Sequence, residues 1–272
     1  MKKTVHASSR PRLCAIVPAA GRGSRLGADV PKVFVPILPG VTIWDAIHRT
    51  LSQVADRIVL VLSSDGRSYV EKNHAAFSPQ NFDKTTLALQ PTSLGMGDAI
   101  FGAADLWRDD DDLLVVWGDQ FNLSLRTLTA CLLLHATREK PALTLPVVRS
   151  PRPYVEYVFD SSERLVRLRQ SREGDVCEPD GFSDIGVFLL SGGRALCEEW
   201  QRYRAGSAPG PVTGEINFLP FLVHLSSTAG WPVGRYETDD PDEAVGINTP
   251  EDLAFARRLL QKNLPQPPNP NE

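Results

Sequence analysis

Short, unbroken apolar runs recur along the chain at residues 13–17, 58–62, 113–117, 142–148 and 185–190, each closed by charged or turn-forming residues. A run of that length without polar alternation suits a strand covered on both faces, because neither face then meets water. Between the runs the apolar residues take a helical period. Ile43, Ile47, Leu51 and Val54 make one stripe, and Met96, Ile100, Ala103, Ala104 and Trp107 make another. The alternation of the two patterns predicts an α/β fold with a mostly parallel sheet flanked by helices. In such sheets ligands gather beyond the carboxyl ends of the strands, so the loops that leave the apolar runs are where chemistry should be sought.

The pattern changes between residues 151 and 184. Residues 154–159 and 165–168 alternate, and the polar residues 160–164 join them, which predicts a hairpin-like insert. A helix is expected over 193–203, a glycine- and proline-rich loop over 205–214, and a helical stretch over 217–225. The last helix is marked by Thr249 as N-cap, Pro250 at its first position and Asp252 as the reciprocal partner of a capping box. Residues 1–12 and 263–272 are expected to be flexible ends around a single domain spanning 13–262.

Composition narrows the function. The 272 residues are 42% hydrophobic and 23% charged, ordinary for a folded domain. Twenty-nine basic against 33 acidic residues give a formal charge of −4, which argues against a dedicated nucleic-acid binder while leaving room for a local cationic pocket. The acidic stretches at Asp109–Asp112 and at Asp240, Asp242 and Glu243 read as hydrated turns rather than metal sites. Cys14, Cys131, Cys177 and Cys197 are widely spaced and form no CxxC pair, so neither a zinc motif nor a disulfide framework is expected. With no apolar run approaching the roughly 18 residues of a membrane span, the chain is read as cytoplasmic, with no membrane partner.

The loop after the first apolar run holds the densest candidate chemistry. It reads Pro18-Ala19-Ala20-Gly21-Arg22-Gly23-Ser24-Arg25-Leu26-Gly27 and continues to Pro31-Lys32. Glycines after a buried strand let backbone N–H groups close on phosphates, and Arg25 and Lys32 bring two cations to the same loop. The spacing G-x-G-x-x-x-G fits neither the dinucleotide fingerprint nor a Walker loop. On these residues alone, a phosphate loop and a charged surface turn both remain open.

The run PAAGRGSRLGADVPK resembles the opening signature of the sugar-1-phosphate nucleotidyltransferase superfamily. Three further segments resemble that superfamily in the expected order: Gln90-Pro-Thr-Ser-Leu94-Gly95-Met96-Gly97-Asp98-Ala99, Trp117-Gly118-Asp119, and Gly246-Ile247-Asn248-Thr249-Pro250-Glu251-Asp252-Leu253. The pattern is most similar to the uridylyltransferase domain of N-acetylglucosamine-1-phosphate uridylyltransferase. The hexapeptide repeats of that enzyme's acetyltransferase domain have no counterpart here, so no acetyltransferase activity is expected. A weaker likeness links the opening loop to the cytidylyltransferases of the methylerythritol phosphate pathway.

The resemblance implies a Rossmann-like, GT-A-like three-layer fold with a small inserted sugar-binding β-subregion. It also implies nucleotidyl transfer from a nucleoside triphosphate to a sugar 1-phosphate, with Mg²⁺ as cofactor. Arg25 and Lys32 would be the catalytic cations, on the leaving phosphates and near the reacting α position. Ala20, Gly21, Gly23, Ser24, Gln90, Gly95, Met96 and Gly118 would bind the nucleotide, and Asp119 and Asn248 the metal. Gln90 favours UTP or dTTP, because a carboxamide answers the N3–H and carbonyl edge of uracil or thymine. On the sugar side stand Gln170, Asp184, Gly186 and Glu215. Here the chain departs from the family: Asp184 replaces the usual Asn, Gln170 and Arg172 replace Glu and Lys, and Leu219-Pro220 replaces Thr-Asp. Met96 likewise replaces a threonine. The alternatives are a cytidylyl- or guanylyltransferase acting on another small phosphate or phosphonate, and a catalytically silent nucleotide-sugar-binding regulator.

Overall fold

A computed structural model describes residues 12–21, 23–73, 77 and 79–262. The expected flexible ends therefore lie outside the described residues, except Arg12, which opens the first strand. In chain order the strands are β1 (Arg12–Pro18), β2 (Pro36–Leu38), β3 (Val41–Thr42), β4 (Arg57–Leu62), β5 (Thr85–Leu89), β6 (Asp111–Val116), β7 (Leu143–Ser150), β8 (Val155–Phe159), β9 (Leu165–Gln170), β10 (Gly181–Asp184), β11 (Val187–Ser191) and β12 (Val233–Glu237). The helices are α1 (Ile43–Leu51), α2 (Ser64–Lys72), α3 (Met96–Phe101), α4 (Leu125–Ala136), α5 (Gly193–Gly206), α6 (Leu219–Val223) and α7 (Pro250–Lys262).

Ten strands form one sheet in the order β5-β4-β1-β6-β11-β7-β10-β8-β9, with β12 added beside β7. The pairs β5–β4, β4–β1 and β1–β6 are parallel, as is β7–β12. From β6 onward through β11, β7, β10, β8 and β9 every pair is antiparallel. The expected parallel sheet is thus a parallel core on one side of a mixed sheet. Parallel pairing needs a long crossover, whereas β8 and β9 are joined only by residues 160–164 and must pair as a hairpin. The insert extends the same sheet, with Phe182 on β10 opposite Tyr157 on β8.

The parallel core strands divide their side chains between two apolar layers. Leu13, Ala15 and Val17 of β1 join Ile43, Trp44, Ile47 and Leu51 of α1 and Ala256 of α7. Cys14 and Ile16 face the other way, with Ala99 and Ile100 of α3, Leu196 and Trp200 of α5, and Phe221 of α6. Cys14 through Val17 are fully buried, which is why the run shows no polar alternation.

Three expectations need correction. Asp111 and Asp112 open β6 instead of lying in a hydrated turn, because β1 pairs with them from Arg12 onward. Asp111 is buried and pairs with Arg57 at 3.2 Å. The run at 185–190 begins as a turn: the Asp184 carboxylate accepts the Gly186 N–H at 2.8 Å, delaying β11 to Val187. Glu243, expected in a solvated turn, is wholly buried. Its carboxylate accepts the Ser124 N–H at 3.0 Å and the Thr127 hydroxyl at 2.7 Å, and its carbonyl accepts the Gln120 amide, which also donates to the Ile185 carbonyl.

This network ties the loop after β6, the turn before β11 and the turn at 241–244 into one support beneath the sheet ends. Glu243→Ala should therefore lower stability by about 1–3 kcal/mol for each of the Ser124 and Thr127 groups left unpaired. Urea unfolding of both proteins measures it; an unchanged midpoint would mean that the network bears no load.

Candidate active site

The loop leaving β1 is shaped by close approaches. The Ala19 N–H still bonds to the Val61 carbonyl at 2.8 Å, so the strand direction persists past Pro18. Where β6 ends, a Cβ on Gly118 would stand 3.0 Å from both the Ala19 Cβ and the Pro18 carbonyl oxygen, so the two strand ends can meet only at glycine. Ala20 is buried beside them and Gly21 is exposed. Ser24 opens the short turn Ser24–Leu26, closed by the Leu26 N–H on the Gly23 carbonyl at 3.0 Å. Gly23 has φ +60°, and a Cβ there would lie 2.8 Å from the Lys32 Cβ. Its missing side chain makes room for Lys32, which begins a turn anchored by the buried Val33 and Phe34.

From that anchorage the Lys32 Nζ donates to Asp119 Oδ2 at 2.6 Å and to Asn248 Oδ1 at 3.0 Å. Arg25 Nη2 donates to the same Asn248 oxygen at 3.3 Å. Asn248 is held by the cap of α7: its N–H bonds to Asp252 Oδ2 at 2.9 Å, and Asp252 and Thr249 form the expected capping box. The Ile247 N–H donates to the Asp119 carbonyl at 3.1 Å, and a Cβ on Gly246 would fall 3.1 Å from the Asp119 Cγ. Two oxygens, one carboxylate and one carboxamide, thus converge on the Lys32 ammonium. That is a hard-oxygen pair suited to Mg²⁺, which takes few protein ligands and keeps waters and phosphates. Among the described residues no cluster of three or more His, Cys, Asp or Glu offers a closed protein cage for a metal.

At the end of β5 the strand ladder continues as the Gln90 N–H bonds to the Leu62 carbonyl at 2.8 Å. The buried Gln90 side chain donates through Nε2 to the Gly95 carbonyl at 3.0 Å and to Asp98 Oδ2 at 2.9 Å. Gly95 has φ +102°, and a Cβ there would stand 3.0 Å from the Glu215 Cβ. The glycine therefore admits Glu215 and brings a candidate nucleotide loop against a candidate acceptor loop. Met96 packs on the apolar layer around α3.

The candidate acceptor side lies in the antiparallel half. Gly186 has φ +73°, and a Cβ would reach 2.3 Å from the Trp117 Cδ1, so this glycine accommodates the Trp117 ring. Among the described residues, Asp184 Oδ2 is buried without a hydrogen-bond partner, as is the Tyr157 hydroxyl. Burial pushes the Asp184 carboxyl up to about 7; the Gly186 N–H opposes this and the Asp119 charge adds to it. Burial and the Asp184 charge hold the Tyr157 phenol above its ordinary value. Glu173 binds the Val212 N–H, the Thr213 hydroxyl and the Asn217 amide, which secures the loop carrying Glu215 to the end of β9. Gln170 stands apart, buried at the end of β9 with its N–H on Asp175.

Lys32 therefore reaches both Asp119 and Asn248, Arg25 reaches Asn248, and Gln90 and Glu215 each meet Gly95. Residues with no signal in the sequence complete the arrangement: Asp98 behind Gln90, Tyr157 beside Asp184, and Gln120 with Glu243 underneath. An acidic residue in the first turn of a helix, or within Asp-Pro-Asp-Glu, looks solvated until its partners are known.

Cationic side chains and side-chain oxygens thus converge beyond the ends of parallel strands, where α/β sheets of this nucleotidyltransferase fold gather ligands. The chain belongs to the family of the MobA-like NTP transferase domain, whose model matches residues 15–184. It is 25% identical over 248 residues to the bifunctional protein GlmU of Methylococcus capsulatus, covering 91% of this chain and 51% of that one. The GlmU of Acidithiobacillus ferrooxidans (strain ATCC 53993) is 27% identical over 257 residues, again 91% and 51%. The chain thus spans about half the length of these curated relatives. In fold it is similar to the inositol-1-phosphate CTP transferase from T. maritima, with TM-score 0.65, 20% identity and coverage of 93% and 96%. It is also similar to a UDP-glucose pyrophosphorylase complexed with UDP-glucose, with TM-score 0.69, 14% identity and coverage of 93% and 100%.

The buried Asp184 makes stability depend on pH. Its folded carboxyl keeps a proton up to about 7, whereas the ordinary value is 3.8, so between these values the folded state binds more protons than the unfolded. Stability from this group is present in acid and is lost as pH rises through that window. In metal-free buffer Asp184→Asn should melt a few degrees above the parent at about pH 8 and alongside it at about pH 4. Parallel melting curves across the range would exclude Asp184 as the titrating group.

Proposed function

We propose that the chain transfers a nucleotidyl group from a nucleoside triphosphate, UTP or dTTP being preferred, to a sugar 1-phosphate, giving a nucleotide sugar and pyrophosphate. The observation that carries this reading is the meeting of Lys32, Arg25, Asp119 and Asn248 at the ends of β1 and β6. An acceptor phosphate oxygen attacks the α-phosphorus while the bond to the pyrophosphate oxygen breaks. Such a reaction needs alignment of two anions and charge to offset the crowded oxygens. Lys32, anchored by Val33 and Phe34, would place its ammonium by the α-phosphate, and the exposed Arg25 would hold the departing phosphates. Asp119 and Asn248 would hold Mg²⁺, which supplies charge neutralisation on phosphate oxygens when bound.

The intact cationic and oxygen set favours an enzyme over a silent nucleotide-sugar-binding regulator. The acceptor side favours a second reading for the acceptor alone. Asp184, where related sequences carry Asn, is a carboxyl that can donate as well as accept, and it would also suit a phosphorylated polyol. The fold neighbour named as an inositol-1-phosphate CTP transferase fits that reading. Pyrophosphate release from each nucleoside triphosphate, against a panel of hexose 1-phosphates and polyol phosphates, decides between acceptors. Among the described residues no helix is long and apolar enough to cross a membrane, and the proposed setting is the cytoplasm, with neither membrane nor nucleic acid as partner.

Lys32→Ala should lower kcat by about 10²–10³-fold with a smaller rise in KM for the triphosphate, since its charge matters most where negative charge develops. Asp119→Ala and Asn248→Ala should fold normally and lose most turnover, and chelation of divalent cations should abolish it, with Mg²⁺ restoring it. A Lys32 variant altered in KM alone, or full turnover after chelation, would remove these roles.

A further inference from the structure

A carboxamide has a donor end and an acceptor end, and half a turn about its terminal torsion exchanges them. Free of constraint, Gln90 could offer its NH₂ to an unprotonated ring nitrogen as readily as its carbonyl to a ring N–H. Its neighbours remove that freedom. Nε2 donates to the Gly95 carbonyl at 3.0 Å and to Asp98 Oδ2 at 2.9 Å, so both of its hydrogens are committed. A main-chain carbonyl and an ionised carboxylate can only accept. Inverting the amide would turn Oε1 toward two acceptors and leave the buried amide without its donors' partners. The bond to the carboxylate is charge-assisted, the stronger of the two. Asp98 is itself held in place, since the next residues of α3, Ala99 and Ile100, are buried in the apolar layer. Oε1 has no hydrogen-bond partner among the described residues.

We infer that Asp98 is a specificity-determining positioning residue: it fixes the sense of the Gln90 amide, so that the base meets a carbonyl oxygen and is chosen by its N3–H. The inference rests on the nucleotide reading above and deepens it. Uracil and thymine carry that N3–H. Cytosine carries a bare N3, which would set acceptor against acceptor in a buried pocket. Asp98 does not touch the base; it decides which end of Gln90 does.

The test is direct binding, independent of turnover: calorimetric titration of UTP, CTP and N3-methyl-UTP, with Mg²⁺ and without acceptor, into the parent chain and into Asp98→Asn. The parent should bind UTP at least about tenfold more tightly than either CTP or N3-methyl-UTP, because one mismatched buried group costs about a decade in affinity. In Asp98→Asn the new amide can either accept from Gln90 Nε2 or donate to Gln90 Oε1, so only the Gly95 carbonyl still opposes inversion and the UTP preference over CTP should shrink to within a few-fold. A purely structural role for Asp98 would weaken both nucleotides alike and leave their ratio unchanged, and that result overturns the inference. Equal or tighter parental binding of CTP or N3-methyl-UTP also overturns it, on the parent chain alone and whatever the variant's folding. Failure of the transferase reading looks different: the binding preference persists while no acceptor yields pyrophosphate.

Discussion

The Lys32 ammonium is the point at which three distant stretches of chain meet. Its bonds to Asp119 and Asn248 join positions 87 and 216 residues away. None of the three could reach it without the buried parallel core, because β1 and β6 run side by side and release their ends at the same edge. The spacing is strict enough that Gly23, Gly118 and Gly246 each stand where a Cβ would crowd Lys32, Ala19 or Asp119. A partly buried ammonium with two oxygen partners is stable as it stands, yet every partner is also a group that phosphate or a divalent cation would engage. The same contacts that hold the site together are thus those that substrate binding would exchange.

The two halves of the sheet solve different problems. In the parallel half, the side chains at the candidate site are placed by strand ends and short loops and find partners in one another. In the antiparallel half, Asp184 Oδ2 and the Tyr157 hydroxyl are buried without partners among the described residues. Burying such groups costs free energy that packing elsewhere must offset. Such unpaired polar atoms are acceptable where a ligand or water completes them, and the departures from the family pattern at Gln170, Arg172 and Asp184 fall in this half. The Glu173 anchor and the contact of Glu215 on Gly95 keep this side in register with the candidate nucleotide loop.

Much of this arrangement was legible in the chain itself. Runs such as 13–17 have no polar alternation because both faces of β1 are covered, and Thr249-Pro250 with Asp252 marks the start of α7 by cap chemistry alone. The loop holding Lys32 stood out by glycine and charge, and the segments holding Gln90, Asp119 and Asn248 by their resemblance to one superfamily; Lys32, Asp119 and Asn248 meet beyond the ends of β1 and β6. The direction of the later strands was less legible, since an apolar run such as that of β11 reads the same in either direction. Buried acids were misread for a related reason. Asp111 and Glu243 sit in acidic, turn-like sequence, and only the partners Arg57, Ser124 and Thr127 make their burial possible. Those partners are remote in sequence, and local composition carries no trace of them.

The same distinction separates where a side chain sits from what it presents. Gln90 is placed by the ladder from β4, a property of the sheet that any residue at the end of β5 would share. Which end of its amide faces outward is set by Asp98, eight residues on, through one hydrogen bond of 2.9 Å. Asn248 repeats the logic. Its Nδ2 lies 3.4 Å from the Gly246 carbonyl while Oδ1 takes both cations, so its neighbours again choose the oxygen as the presented end. A motif that names Gln and Asn specifies groups able to play either part. Their donor or acceptor character comes from their neighbours, of which Asp98 fills a position the motif leaves open, so one exchange of carboxylate for carboxamide there would alter recognition while Gln90 and Gly95 stay the same.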